Sequence, residues 1–207
     1  MLNIDRKGLS LDLPFDPSGE TVILSQGFDS IFSHKLWPSV DLTYSVDFAL
    51  DPGTQVTAVQ DGIVHSIVKS SDYYNGFDAK KGRRAWATNI DIRHPQFEKG
   101  GGVIYSMLQH LDPESINVTK GQKITKGQVL ACTGLTGWVG PIPHLHLSMM
   151  ETGPELLQTV PFYFENHNES LWDKDVENQL IREQMYGSVR AWKIVIERDR
   201  AKKIMNP

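Results

Sequence analysis

The chain has 207 residues, of which 40% are hydrophobic and 22% charged, a composition typical of one globular domain with an appended segment. Its formal net charge of −4 gives no reason to expect a nucleic acid or an anionic membrane as a partner. Because Cys132 is the single cysteine, an intrachain disulfide and a cysteine-based zinc site are both excluded. No apolar run is long enough to cross a bilayer.

The first part of the chain reads as short β-strands separated by turns. Residues 1–30 are expected to be irregular apart from one strand at Thr21–Leu24. In Thr43–Leu50, apolar and smaller or polar side chains alternate as in a strand with two different faces. Two β-rich runs, Gln55–Val59 and Gly62–Val68, meet at an Asp-Gly pair that indicates a hairpin or a bulge.

A polar loop at residues 70–85 interrupts this pattern and carries tyrosines and a basic patch. A loop of that length in a compact domain is often a binding element, and a solvated insertion is an equal alternative. Further strands are predicted beyond the loop, bounded by turns in a chain with 17 glycines and 11 prolines. They are Trp86–Arg93, Val103–Leu111, Val129–Thr133 and Val160–Phe164.

After Leu171 the pattern becomes helical. Apolar residues from Leu171 to Met185 fit one stripe of a helix, whereas residues 189–197 fit either more helix or a strand. The sequence therefore predicts a mainly β fold with an α-helical C-terminal extension. We divide the chain into an N-terminal segment (1–26), a β-rich domain (27–164) and that extension (165–207).

The clearest candidate for a functional motif is residues 140–147, Gly-Pro-Ile-Pro-His-Leu-His-Leu. Residues two apart in a strand lie on one face, so His144 and His146 would lie side by side. Two such imidazoles can bind a metal together, or one can be a ligand and the other an acid or base. Two histidines on a hydrated strand face are the simpler interpretation unless further ligands converge on them.

Three other residues could complete a site of this kind. Asp47 lies between Val46 and Phe48, where a carboxylate needs a cation, hydrogen bonds or a metal, or else an arginine salt bridge. His110 lies at the end of a predicted strand, and taken alone it is more simply interpreted as a structural core or edge histidine. His34 lies in a loop, and taken alone it is more simply interpreted as an exposed loop histidine. Together they supply the residue types of a catalytic zinc site with one open position.

Several short motifs, in their order along the chain, resemble the lysostaphin-type zinc metallopeptidases, which are endopeptidases of bacterial cell-wall peptides. The resemblance extends from about Gly27 to Phe164. It implies a small antiparallel β-sandwich or barrel-like core, one Zn²⁺ per chain and a peptide substrate such as the peptides of peptidoglycan. The motifs are Asp47-Phe48-Ala49, Pro52-Gly53-Thr54, Val56, Ala58, Asp61-Gly62, Val64, His110-Leu111, Gly127-Gln128, Gly134, Thr136-Gly137 and His144-Leu145-His146.

Matched residue by residue, the resemblance assigns roles to four side chains. Asp47 and His146 correspond to zinc ligands of the family, and His110 and His144 to its catalytic histidines. The family usually has a tyrosine two residues before the first of these catalytic histidines, whereas this chain has Leu108. That difference bears on fine positioning in the site, not on the chemistry.

The third zinc ligand is where the chain departs most from the family. The ligand usually lies four residues before the aspartate, and here that residue is Thr43, whose hydroxyl is a poor zinc ligand. Some members carry a Ser-His pair further upstream, which Ser33-His34 resembles with a longer spacer. We therefore expect His34 to be the third ligand, with His65 and His94 as alternatives.

Two functions from different classes follow. The first is a zinc endopeptidase of cell-wall cross-links or stem peptides, in which zinc activates water and polarises the scissile carbonyl. No His-Glu-x-x-His motif is present, so proton transfer would fall to His110 and His144, in an order that the sequence leaves open. The alternative is a degenerate, non-catalytic relative that binds cell-wall peptides or regulates another wall hydrolase. Two Lys-Gly-Gln turns also suggest a lipoyl- or biotinyl-type carrier. This third interpretation is disfavoured because a carrier has no need of a histidine cluster.

The compartment depends on processing. The first eight residues, Met-Leu-Asn-Ile-Asp-Arg-Lys-Gly, are charged and lack the apolar centre of a signal peptide. The expected location is periplasmic, secreted or associated with the cell envelope if a signal peptide was removed, and is otherwise unknown.

Overall fold

The structure is a computed structural model that describes residues 8–17, 24–29, 34, 41–70, 87–139, 143–152 and 157–165. Within these ranges the chain forms twelve strands and one 3₁₀ turn at Pro95–Phe97. The strands are β1 (Leu9–Leu11), β2 (Leu24–Gln26), β3 (Ser45–Ala49), β4 (Gln55–Thr57), β5 (Gly62–Val68), β6 (Asn89–Arg93), β7 (Val103–Gln109), β8 (Lys123–Ile124), β9 (Val129–Cys132), β10 (His144–Thr152), β11 (Leu157–Thr159) and β12 (Phe162–Phe164).

The main sheet has eight strands in the order β2-β3-β10-β7-β6-β5-β8, with β11 paired to β10 outside this path. All of its pairings are antiparallel. A second antiparallel pair joins β4 to β9, and β1 runs parallel to β12. The predicted mainly β, antiparallel fold is confirmed.

Strand β10 organises the sheet, since its nine residues lie between β3 and β7. Alternate side chains of β10 face opposite sides. Leu145 and Leu147 belong to the hydrophobic core, together with their strand partners Phe48, Val46 and Leu108. The residues between them therefore face the other side of the sheet, where the polar side chains of β3 and β10 meet.

The N-terminal residues contribute to the core, contrary to the expectation that residues 1–30 are irregular apart from one strand. In β1, Leu9 pairs with Phe162 and Leu11 with Phe164, and Leu11 is fully buried. A three-residue strand is too short to show a period in the sequence, and its partner lies about 150 residues away. The predicted strand at 21–24 has only Leu24 among the described residues, where β2 begins.

The two β-rich runs around Asp61-Gly62 do not form a hairpin. β4 pairs with β9, whereas β5 pairs with β6 and β8. A Cβ atom on Gly62 would lie 2.5 Å from Ile92 Cγ2 and 2.6 Å from the Arg93 carbonyl oxygen. Glycine is therefore required there for close approach to β6, and the bulge of this region lies within β5, between Val64 and Ser66.

Two predicted features lie outside the described residues. The first is the helix after Leu171 in the C-terminal extension, and the second is the 70–85 loop apart from Ser70. Among the residues that the structure does describe, no helix has the length and apolar character needed to cross a membrane.

Candidate metal centre and catalytic histidines

Asp47 and His146 are brought together by strand pairing. They are direct partners in the β3–β10 register, so their side chains emerge on the same face. The Nδ1 atom of His146 lies 2.7 Å from Asp47 Oδ1, and both residues are buried. The backbone therefore fixes the separation of two of the predicted ligands before any metal binds.

His34 completes the cluster from a distant part of the chain. Its Nε2 atom lies 3.5 Å from Asp47 Oδ2, and its ring centroid is 5.3 Å from that of His146. The side chain of His34 is buried, and neither of its ring nitrogens has a hydrogen-bond partner among the described residues. A buried imidazole without partners is costly, so its position needs a compensating interaction.

A metal ion would supply that interaction. Donor atoms of His34, Asp47 and His146 all lie within 4.8 Å of one another. Two imidazoles and one carboxylate are a usual protein donor set for catalytic zinc, which keeps a further position for water or substrate. The convergence of the three donors, and the two nitrogens of His34 that have no hydrogen-bond partner in the part of the chain that the structure describes, fit a metal ion such as zinc.

His144 and His110 lie beside this donor set. His144 Nε2 is 3.8 Å from Asp47 Oδ2, and the centroids of the His110 and His144 rings are 4.5 Å apart. His110 Nδ1 lies 2.8 Å from the Thr136 carbonyl oxygen and donates to it. Since a neutral imidazole carries one proton, Nε2 of His110 is then the nitrogen that can accept one.

The loop that orients His110 is itself anchored. Thr136 Oγ1 donates to the Leu111 carbonyl at 2.9 Å and accepts from the Thr88 amide at 2.9 Å. Both the hydroxyl and the carbonyl of Thr136 are therefore used, one for the fold and one for His110. This accounts physically for the threonine of the Gly-x-Thr-Gly motif at 134–137.

His110 has a backbone conformation that few non-glycine residues adopt. It follows directly after β7 with φ +65°. Gln109, the last residue of β7, pairs with His146 and so faces the site, and strict alternation would direct His110 to the opposite side. The left-handed residue breaks that alternation and brings the ring against His144. Strain of this kind is common at functional sites.

The pKa values of the cluster favour metal binding. Burial alone would raise the pKa of Asp47, but its electrostatic interactions with His144, His34 and His146 and the hydrogen bond from His146 hold it well below its usual range. Burial lowers the pKa of His146, and burial together with His144 lowers that of His110 to about 3. At neutral pH, Asp47 is therefore a carboxylate, and both of these histidines are neutral.

Two polar contacts to the donor set were not anticipated from the sequence. Gln26 Nε2 donates to Asp47 Oδ2, in a part of the chain that carried no motif. Ser148 Oγ lies 2.8 Å from His146 Nε2. Ser148 could have been found, because it stands two residues after His146 on the same strand face. Gln26 could not, because its pairing with β3 depends on an irregular register.

The alternative ligands lie elsewhere. His94 is fully buried and uses both ring nitrogens, bonding the Asp61 carbonyl oxygen at 2.7 Å and Ser106 Oγ at 2.9 Å.

His65 is exposed on β5, three places from β10 in the sheet order, with its ring against Tyr105. Thr43 lies in the turn before β3 and not on the strand that carries Asp47, although the sequence predicted a strand from Thr43 onwards. Of the candidates, only His34 joins the cluster.

A β-sheet that presents a His/Asp/His donor set beside two further histidines is an arrangement suited to metal-dependent hydrolysis. Residues 41–157 match the model of peptidase family M23, and the chain belongs to that family. The resemblance to the lysostaphin-type peptidases is confirmed. His110, His144, Asp47 and His146 lie inside the matched range, whereas His34 precedes it.

One curated relative and two solved structures illustrate the similarity. The chain is 29% identical over 151 residues to the peptidoglycan DD-endopeptidase ShyA of Vibrio cholerae, covering 72% of this chain and 30% of that protein. It therefore spans less than a third of this relative's length. A zinc-containing peptidase from Vibrio cholerae is 23% identical, with a TM-score of 0.46 over 73% of this chain and 39% of the other. The catalytic domain of lysostaphin from Staphylococcus simulans is 22% identical, with a TM-score of 0.42 over 67% and 88%.

Proposed function

We propose that the protein is a zinc-dependent endopeptidase that hydrolyses peptide bonds in the cross-links or stem peptides of bacterial peptidoglycan. The observation that carries the proposal is the convergence of the three donor side chains next to His110 and His144, with His34 buried and its ring nitrogens without a hydrogen-bond partner among the described residues. Membership of a peptidase family supports the reaction class. The name of the relative, a peptidoglycan endopeptidase, supports the substrate class.

His34, Asp47 and His146 would hold the metal. Zinc in such a site acts as a Lewis acid that polarises a carbonyl and makes water nucleophilic at neutral pH. The protein's part is to keep the donors apart from bulk water and in register. Burial of all three side chains and the contact of Gln26 with Asp47 serve that purpose.

The two remaining histidines would handle protons. With Nδ1 committed to the Thr136 carbonyl, His110 presents Nε2 to accept a hydrogen bond or a proton from the attacking water. His144, in contact with His110, would stabilise the carbonyl oxygen as negative charge develops or give a proton to the leaving amine. Water's oxygen bonds to the carbonyl carbon, the C–N bond breaks, and the amine leaves with the proton.

The substrate class also suggests where the protein acts. Peptidoglycan lies outside the cytoplasmic membrane, so a peptidase of its peptides would work in the periplasm, at the cell envelope or after secretion. The partner is accordingly a cell-wall peptide. The non-catalytic alternative was motivated by Thr43 at the usual ligand position, and the geometry of His34, which offers the missing donor, supports the enzyme instead.

The experiment is to incubate the zinc-loaded protein with purified sacculi and to analyse the released fragments by mass spectrometry. We expect fragments cut within peptides, with intact glycan linkages. A His144→Ala protein loaded with the same amount of zinc is the matched control and should release little. A wild-type protein that holds zinc but releases no peptide-cleaved fragment would contradict the proposal.

A further inference from the structure

Two residues along β3 and β10 from the Asp47–His146 pair, a pair of buried serines lies on the same face of the sheet. Ser148 Oγ is 2.8 Å from His146 Nε2, and Ser45 Oγ is 2.7 Å from Ser148 Oγ. Both serines are 0% exposed and are direct partners in the β3–β10 register. Hydrogen bonds therefore continue from the carboxylate through the ring to two hydroxyl groups that water does not reach.

The proton positions in this chain of hydrogen bonds follow from the acceptors. A carboxylate can only accept, so His146 Nδ1 donates to Asp47 Oδ1 when no metal is bound. A neutral imidazole has one N–H, so Nε2 then accepts, and the Ser148 hydroxyl must donate to it. A metal ion at Nδ1 requires the other tautomer, in which Nε2–H donates and Ser148 accepts.

We propose that Ser148 and Ser45 are positioning residues that let His146 exchange its ring tautomer when a metal binds at Nδ1. A hydroxyl can donate or accept, so Ser148 can reverse its role and turn its proton to Ser45 Oγ. The bond between the two serines can run in either direction. A carboxylate acceptor in place of Ser148 would favour one tautomer only. This inference rests on the proposed function in taking His146 as a zinc ligand.

A second histidine–serine pair, formed by a histidine directly after β6 and a serine in β7, provides a matched control. Ser106 Oγ lies 2.9 Å from His94 Nε2, and both residues are 0% exposed. His94 Nδ1 donates to a fixed acceptor, the Asp61 carbonyl oxygen at 2.7 Å. Among the described residues, His94 belongs to no cluster of metal donors, so Ser106→Ala reports the cost of losing a buried serine–histidine bond alone.

The variants to compare are Ser148→Ala, Ser148→Thr, Ser45→Ala and Ser106→Ala in the full chain. Zinc affinity is measured by chelator competition, and stability by thermal unfolding of the metal-free proteins. We expect Ser148→Ala to weaken zinc binding by about 10- to 100-fold, as other groups that orient a metal-bound histidine do. Ser148→Thr keeps the hydroxyl and should restore most of the affinity, Ser45→Ala should show a smaller loss, and Ser106→Ala should bind zinc like the wild type.

A measurement on the wild type needs no substitution. Ring nitrogen chemical shifts of ¹⁵N-labelled His146 should report Nδ1–H in the metal-free protein and Nε2–H after one equivalent of zinc. The same tautomer in both states, or full zinc affinity in Ser148→Ala, would overturn the inference while leaving the proposed function intact. A wild-type protein that binds no zinc would instead refute the proposed function.

Discussion

The rings of His110 and His144 are in contact, with centroids 4.5 Å apart, although strand alternation would place them on opposite faces of the sheet. The contact exists because His110 has φ +65° directly after the end of β7. The backbone conformation of His110 therefore determines whether its own side chain lies in the site or on the core side of the sheet.

This conformation has a consequence for stability. A left-handed backbone costs a non-glycine residue about 1–2 kcal/mol, and glycine does not bear that cost. We expect His110→Gly to have a higher free energy of unfolding than His110→Ala, by about 1 kcal/mol. This order is the reverse of the usual one, in which glycine destabilises a protein relative to alanine. Urea unfolding of the two metal-free variants measures the difference. An alanine variant that is the more stable one would show that the left-handed conformation is absent in solution.

Substitution of each proposed metal ligand should have a different effect on zinc content from substitution of a histidine outside the site. His34→Ala, Asp47→Ala and His146→Ala should each lose most of the bound zinc, because water must replace a protein donor in a three-donor site. His65→Ala is the control, since His65 is exposed on β5. Zinc content after dialysis is measured on folded protein. Full retention by His34→Ala would remove His34 from the site.

The two proposed catalytic histidines should behave differently from the proposed ligands. His110→Ala and His144→Ala are expected to keep stoichiometric zinc and to lose activity by roughly 10²–10⁴-fold, the usual contribution of a positioned acid or base. Cleavage rates on sacculi, together with zinc content, test both statements. A folded variant that loses its metal would mean that ligand and catalytic roles had been interchanged.

Gln26 should influence the metal through Asp47. It donates to Oδ2 from a buried position, so Gln26→Ala leaves that oxygen without this donor and frees the carboxylate to rotate. We expect zinc affinity to fall by about 10- to 100-fold, with partial recovery in Gln26→Asn if the shorter amide still reaches. Chelator competition gives the affinity. An unchanged affinity in Gln26→Ala would show that strand pairing alone positions Asp47.

His94 lies outside the candidate site and should make the free energy of unfolding depend on pH. Burial lowers its pKa in the folded protein, so the unfolded chain binds the proton more readily. The stabilisation from neutral His94 is therefore complete above the unfolded pKa of about 6.5 and is lost as the pH falls below it, at up to about 1.4 kcal/mol per pH unit. Urea unfolding between pH 8 and 5 should show a flatter profile for His94→Gln than for the wild type. Parallel profiles would contradict this assignment.

The sequence predicted those parts of the molecule that depend on local periodicity. Alternation identified most strands of the main sheet, and the two-residue spacing placed His144 beside His146. The family resemblance assigned Asp47 and His146 as ligands of one zinc ion, whereas the pairing of β3 with β10, which puts both side chains on one face, was found only in the structure. The geometry then brought His34, the least expected donor, to Asp47.

Other features depend on contacts between distant residues and leave no local pattern. The pairing of β1 with β12, the separation of β4 from β5, and the contact of Gln26 with Asp47 all belong to this class. The position of His110 is a different case. Its sequence neighbours predicted a strand through Leu111, and a single backbone angle redirected the side chain.

The central claim is that His34, Asp47 and His146 together hold a zinc ion. Its most direct test is X-ray diffraction from zinc-loaded crystals at energies above and below the zinc absorption edge. The account predicts one anomalous peak per chain, within bonding distance of one nitrogen from each of His34 and His146 and of an oxygen of Asp47. A peak bonded to other side chains, or bound to Asp47 and His146 with His34 turned away, would contradict it.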